Sequence, residues 1–347
     1  MCVRERSSVP RDSAGLYGAG GLHFDKFKEP KRKQKQMADD SVFRSGIMLR
    51  IGKTEEMEKQ YNEGYLRFSC PANWINYAKI QPPGIADKYE AVFAHVKRDD
   101  PRLGMFCDDG YPLNYSHLLW NDDGPEGTIY VRYVFSCLVP TLCFFSIDIK
   151  DAAKHFGIKG NGGWWLKADL QSYYDAMGVN LEEYSALLIR FPNRLVNELR
   201  NEIPNVITAA KNIDKRDFDA NNALAVKYVK YDLDIDKEFW ELHPYDELFR
   251  KRPEYKNQHE ARLIIPNAPF MRDPVYRPDL YHDNELIVPV PGLKSYSSII
   301  PATKCSTIMF DNFNEDFSRY DICFGDEGTD ISWERGNTLK AERKTLS

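Results

Sequence analysis

Apolar positions fall in short runs along this chain, and the period of each run predicts its element. Ile47, Leu49 and Ile51 alternate with Met48 and Arg50, the two-residue period of a half-buried strand. Thr54 then reads as a helix N-cap, with Glu55 and Glu56 in the first turn and Gly64 just past the end, where a left-handed residue closes helices. Residues 65–69 read as a second strand, halted by Pro71, which cannot donate to a ladder. Residues 76–128 are expected to be loop-rich, because Pro82-Pro83-Gly84, Asp108-Asp109-Gly110 and Asn121-Asp122-Asp123-Gly124-Pro125 are turn chemistry.

Beyond them, strands are predicted at 128–135, 141–147, 187–191, 225–231, 260–265, 285–290 and 307–310. Helices are predicted at 148–157, 167–177 and 193–203. The last of these carries Leu195, Val196, Leu199 and Ile203 at helical spacing, the stripe a core-facing helix presents. Strands and helices interleave without a steady βαβ rhythm, so the expected fold is α+β: a mixed, mainly antiparallel sheet core with peripheral helices. The expected organisation is a disordered basic arm over 1–40, one α+β domain over 41–335 and a frayed tail over 336–347. Met37 is an alternative start.

Charge changes the picture at one point. Residues 1–36 hold nine Lys/Arg against four Asp/Glu, and the remainder holds 38 against 48, from totals of 47 and 52. A body that acidic is a poor general phosphate-binding surface, and the cluster Lys31-Arg32-Lys33-Gln34-Lys35 reads as a solvated tail. No apolar run reaches the roughly 18 residues of a membrane span. The seven cysteines include no Cys-x-x-Cys pair, which predicts neither a disulfide framework nor a zinc site and fits a reducing cytoplasm.

Several chemistries fail on spacing. The stretch 157–163 lacks the order of a dinucleotide fingerprint or a P-loop, no Gly-x-Ser-x-Gly elbow occurs, and no His pairs at metal spacing. Acidic groups do cluster: Asp87 with Glu90, then Asp99-Asp100, Asp108-Asp109 and Asp122-Asp123. They leave open a metal-dependent nuclease, although Asp is also the ordinary residue of turns. The abundant Tyr and Phe leave open a non-enzymatic interaction protein.

The most informative stretch runs from Leu248 to Ile265. Read as a strand, it puts His259, Ala261, Leu263 and Ile265 on one face and Gln258, Glu260 and Arg262 on the other. A carboxylate flanked by an amide and a guanidinium is oriented and held ionised; the plain alternative is a surface ion pair worth about 0–1 kcal/mol. Arg50, opposite an apolar face, is costly to bury without an anion. Ser146 shares its strand face with Phe144 and Leu142.

An early Arg50, a middle Phe144-x-Ser146 and a late Gln258-x-Glu260 resemble, in order, the Arg–Ser–Glu class of ADP-ribosyltransferases. The segments Gly64-Tyr65-Leu66-Arg67-Phe68-Ser69-Cys70-Pro71 and Lys251…Tyr255…Gln258-x-Glu260-x-Arg262 also resemble an uncharacterised bacterial and phage family. The resemblance implies an ADP-ribosyltransferase-like fold with NAD as co-substrate and Glu260 as catalytic carboxylate. It further implies that Gln258 helps select the acceptor, Arg50 binds a phosphate, Ser146 positions the ribose and Phe144 or Tyr255 stacks on nicotinamide. Ser146 lacks the Ser-Thr-Ser context of that class, and Ser69 competes for its role. Toxin or phage-defence activity, a protein or nucleic-acid acceptor and an antitoxin partner are expectations of the resemblance alone.

Overall fold

The computed structural model describes residues 46–78, 87–104, 119–148, 158–160, 163–169, 180–241, 245–271, 284–304, 307–311, 321–324, 329–333 and 339–343. All of them fall in one unit, Met37–Ser347, apart from a second unit, Met1–Gln36; the predicted arm therefore lies outside the described residues, as does the predicted helix at 148–157 except for Asp148, which ends a strand.

The alternating run at the start forms β1 (Gly46–Lys53), followed by α1 (Thr54–Glu63), β2 (Tyr65–Phe68) and α2 (Pro71–Tyr77). Gly64 closes α1 with φ of 70° and donates its N–H to the Gln60 carbonyl, as the sequence predicts. Thr54 does not cap: it is the first helical residue, and its hydroxyl meets Ser185 Oγ at 2.9 Å. Pro71 ends the strand reading and opens α2, where its missing N–H costs nothing.

The supposedly loop-rich stretch contains β3 (Val92–Lys97), the short α3 (Pro101–Gly104) and β4 (Leu119–Asp123). The run after it splits into β5 (Thr128–Tyr133) and α4 (Val134–Leu138), followed by β6 (Thr141–Asp148). Next come β7 (Ile158–Gly160) and β8 (Gly163–Asp169), the latter a strand where a helix was expected to begin at 167. The chain continues with β9 (Tyr184–Ile189), α5 (Pro192–Ala209), β10 (Ala225–Tyr228), β11 (Phe239–Trp240), β12 (Glu260–Ile264), β13 (Leu286–Pro289) and β14 (Ser297–Pro301). It ends with β15 (Thr307–Asp311), β16 (Asp321–Phe324), β17 (Thr329–Trp333) and β18 (Leu339–Arg343). The last two pair over five positions, so β18 lies in the stretch 336–347 that the sequence reads as a frayed tail.

Every ladder between these strands is antiparallel, so mixed helix and antiparallel sheet is the architecture. The central sheet has the order β10-β12-β6-β1-β9-β14, and three further sheets run β11-β3-β5-β4, β13-β2 and β18-β17-β16-β15-β8-β7. One face of the central sheet is the main core: Met48, Leu142, Phe144, Leu187, Ala261 and Leu263 are all almost fully buried. Leu195, Leu199, Ile203 and Ile207 of α5 join that cluster, and α5 packs on β1 and β13. The other face carries Cys143, Phe145, Glu260 and Arg262 beside the fully buried Ile47, Leu49 and Leu188.

Candidate functional site

Register explains how a cavity opens in a continuous sheet. β1 pairs with β6 only from Gly46 to Leu49, while its ladder to β9 continues to Lys53. On the β6 side the vacated edge is taken by the end of β2, where Ser69 and Thr141 exchange backbone hydrogen bonds of 3.0 and 2.7 Å. The strands diverge after Leu49, and a cavity of about 310 Å³ occupies the split. Its walls include Arg50, Arg67, Ser69, Glu90, Cys143, Lys251, Gln258, Glu260 and Arg262, with Trp74, Phe144, Phe145 and Tyr184 as its aromatic surface.

Glu260 faces Phe145 and Arg262 faces Cys143 across the β12–β6 ladder, so all four share one face. Both charged residues are buried, which removes the surface-pair reading. Arg262 Nε donates to Glu260 Oε1 at 2.6 Å, and its two terminal nitrogens donate to the two oxygens of Glu90 at 2.8 Å each. Lys251 Nζ lies 2.6 Å from Glu260 Oε2 and 3.2 Å from Glu90 Oε1, and donates to Gln258 Oε1 at 2.7 Å. Two carboxylates and two cations thus form a neutral buried cluster, the arrangement that keeps buried charge tolerable. The Arg262 guanidinium also donates to the Leu248 carbonyl and lies 5.2 Å from the Trp74 ring centre.

The electrostatics follow from that geometry. Burial alone pushes the Glu260 carboxyl up, but Arg262 and Lys251 outweigh it and hold the group below the ordinary carboxylate range. Burial pulls the Lys251 ammonium down, yet Glu260 and Glu90 hold it well above its ordinary value. Burial and the nearby Glu260 push the Cys143 thiol up, so it is a hydrogen-bond donor to the carboxylate rather than a nucleophile.

Arg50 sits on the other lip. Its Nη2 donates to the Arg67 carbonyl at 3.2 Å, and its buried Nε has no hydrogen-bond partner. Burial lowers its pKa, against a smaller raising effect of Glu56. Arg67 is satisfied by Glu56 and by Glu285 Oε1 at 2.9 Å. Among the described residues, Arg50 is therefore the cavity guanidinium that lacks a hydrogen-bonded carboxylate.

The cavity brings together five of the predicted residues: Arg50, Ser69, Phe144, Gln258 and Glu260. It does not include Ser146 or Tyr255. Ser146 faces Met48 across the β1–β6 ladder and has a buried Oγ without a partner, because it shares the core face with Phe144. The competing hydroxyl, Ser69, lines the cavity and accepts from Asn73 Nδ2 at 3.0 Å. Tyr255 instead stacks under Arg252, 5.0 Å from the guanidinium. Phe144 is 1% exposed, its rings largely covered by the core.

Gln258 reaches the site by a route the strand reading misses. It ends a 3₁₀ helix over Pro253–Gln258, and His259 follows with φ of 41° before β12 begins at Glu260. In the sequence Glu90 figures only as part of an acidic cluster and Lys251 only as part of the segment that carries the resemblance, and neither is assigned to the site. Glu90 is held by Arg132, whose Nε donates to its carbonyl at 2.9 Å, and it precedes Ala91 with φ of 58°. Left-handed non-glycine backbone thus flanks both carboxylates, as strained backbone often does at functional sites. The signals were Asp87-x-x-Glu90 and the basic run before Gln258. Asp87 itself pairs with Arg252 at 3.1 Å and Asp100 with Arg102 at 2.5 Å, so these acidic groups serve ion pairs; Asp108 and Asp109 lie outside the described residues. Among the described residues no cluster of three or more His, Cys, Asp or Glu is placed to hold a metal, and no helix is long and apolar enough to cross a membrane.

Comparison with protein-family models, with curated proteins and with solved structures returns no match.

Proposed function

We propose that this cavity binds NAD and transfers its ADP-ribose to a macromolecular acceptor. The observation that carries the reading is the meeting of Arg50 and Glu260, far apart in sequence, in the walls of one cavity. One lip offers a guanidinium short of an anion, and the opposite wall offers an ionised, rigidly held carboxylate. An unsatisfied buried donor is costly, so Arg50 favours a ligand that brings a phosphate, to which a guanidinium fork is suited. At about 310 Å³ the cavity lies at the small end of ligand sites, roughly 300–1,000 Å³. It encloses the reacting end of a dinucleotide and leaves the rest outside.

NAD supplies a ribose carbon that gains positive charge as its bond to nicotinamide breaks. Glu260 accepts a hydrogen bond from the ribose hydroxyl and stabilises that charge; its roughly four acceptor positions are met by Arg262 twice, Lys251 and Cys143, and the ribose hydroxyl replaces the longest of these contacts, Arg262 Nη2 at 3.4 Å. Ser69, rather than Ser146, is the hydroxyl available to the ribose. Trp74 and Phe145 offer aromatic surface for the nicotinamide ring.

Incubation with labelled NAD and cell lysate tests the proposal. Glu260→Gln is expected to cut transfer on the order of a hundredfold or more, and retained turnover would remove Glu260 from catalysis. A second reading has its own observation: both oxygens of Glu260 already meet cations, as in a module that binds an anionic nucleotide without cleaving it. Calorimetric NAD binding without nicotinamide release selects that reading.

A further inference from the structure

Lys251 is built into the cavity wall more firmly than a surface lysine needs to be. Its N–H donates to the Lys230 carbonyl at 2.9 Å, and its own carbonyl accepts from Leu233 at 3.1 Å. The side chain is 9% exposed, and its ammonium meets three acceptors: Gln258 Oε1, Glu260 Oε2 and Glu90 Oε1. An ammonium has three N–H donors, so each has an acceptor. Arg262 reaches Glu260 chiefly through Oε1; the second oxygen takes its place from Lys251.

We infer that Lys251 is the positioning residue of this site, fixing the plane of the Glu260 carboxylate and the side-chain carbonyl of Gln258 through one ammonium. This rests on the ADP-ribosyl-transfer reading of the cavity. Fixing two oxygens from one nitrogen couples the group proposed to face the ribose to the group proposed to select the acceptor. Angular misplacement of either slows the reaction without removing any group that touches NAD. The groups facing Glu260 are Arg262 from its own strand, Cys143 from β6, Tyr231, whose hydroxyl accepts the Glu260 N–H at 2.7 Å, and Lys251, with Glu90 beyond the two cations.

Lys251→Met and Lys251→Arg test the inference on the full chain. Lys251→Met is expected to lower kcat for NAD turnover on the order of a hundredfold with little change in KM, and to move the acid limb of the pH–rate profile upward. Lys251→Arg restores most of kcat. Because Lys251→Met leaves the cluster one positive charge short, the pair Lys251→Met with Glu90→Gln keeps it neutral; kcat stays low in that variant too. Wild-type kcat in either methionine variant, with an unmoved acid limb, overturns the role of Lys251 while leaving the site reading intact. A wild-type protein that releases no nicotinamide overturns both.

Discussion

Glu260 and Glu247 are both buried carboxylates, and the chain around them solves the same problem in opposite ways. Glu260 lies in the wall of the β1–β6 split with two cations on its oxygens, and is held ionised. Glu247 lies beside α4, where its Oε1 accepts the Ser136 hydroxyl at 2.5 Å, and no salt bridge reaches it among the described residues. Burial pushes its carboxyl up to about 7, against a smaller lowering effect of Ser136. The two regions touch: Arg262 donates to the carbonyl of Leu248, the residue after Glu247. One carboxylate is kept charged, and the other still holds its proton about half the time near pH 7. The difference shows that burial alone does not set the charge of a carboxylate; the company of cations does.

The largest effect should come from breaking the charged side of this contrast. Arg262→Met leaves Glu90 and Glu260 to share Lys251, and is expected to cost about 3–5 kcal/mol in urea unfolding, as for other buried pairs stripped of one partner. A loss within the scatter of surface substitutions would show that the cluster is hydrated rather than dry. Glu247→Gln attacks the neutral side. The folded carboxyl titrates near 7 and the unfolded one near 4.5, so between those values the unfolded chain releases a proton that the folded chain keeps. Stability therefore falls as pH rises through this window and levels off above it. The amide variant should lack that fall, gaining on the order of 3 kcal/mol over wild type at pH 8 and almost nothing at pH 4; parallel pH profiles would refute the raised titration of Glu247. The smallest stability effect belongs to Arg50→Met, expected within about 1 kcal/mol because no carboxylate is left unpaired. Its consequence should appear in binding, as a loss of ADP-ribose affinity by isothermal calorimetry, and unaltered affinity would detach Arg50 from the ligand.

What could be read from the sequence follows period and punctuation. β1, the α1–Gly64 unit and the buried stripe of α5 were legible because each repeats at the period of its element. β3 was not, because Val92–Val96 is buried on both faces and shows no alternation. The start of α4 was lost because Val134 and Phe135 read as a continuing strand. Within the site, Arg50, Gln258 and Glu260 stood out by their order in the chain. Glu90 and Lys251 could not, since their partnership joins residues from distant segments, and no local pattern announces which charges will meet. Ser146 lies outside the cavity lining for a related reason: alternation places it beside Phe144, and only the register with Met48 shows that this face is apolar.

His259 carries a further lesson. Because a left-handed turn, not a pleat, separates Gln258 from Glu260, lengthening the chain by one residue before Glu260 would reposition the amide while the carboxylate kept its place in β12. In a true strand the same insertion would turn one of the two to the wrong side. The backbone placement of position 258 is thus separate from that of its anionic neighbour, and the Lys251 ammonium is what ties the two side chains together.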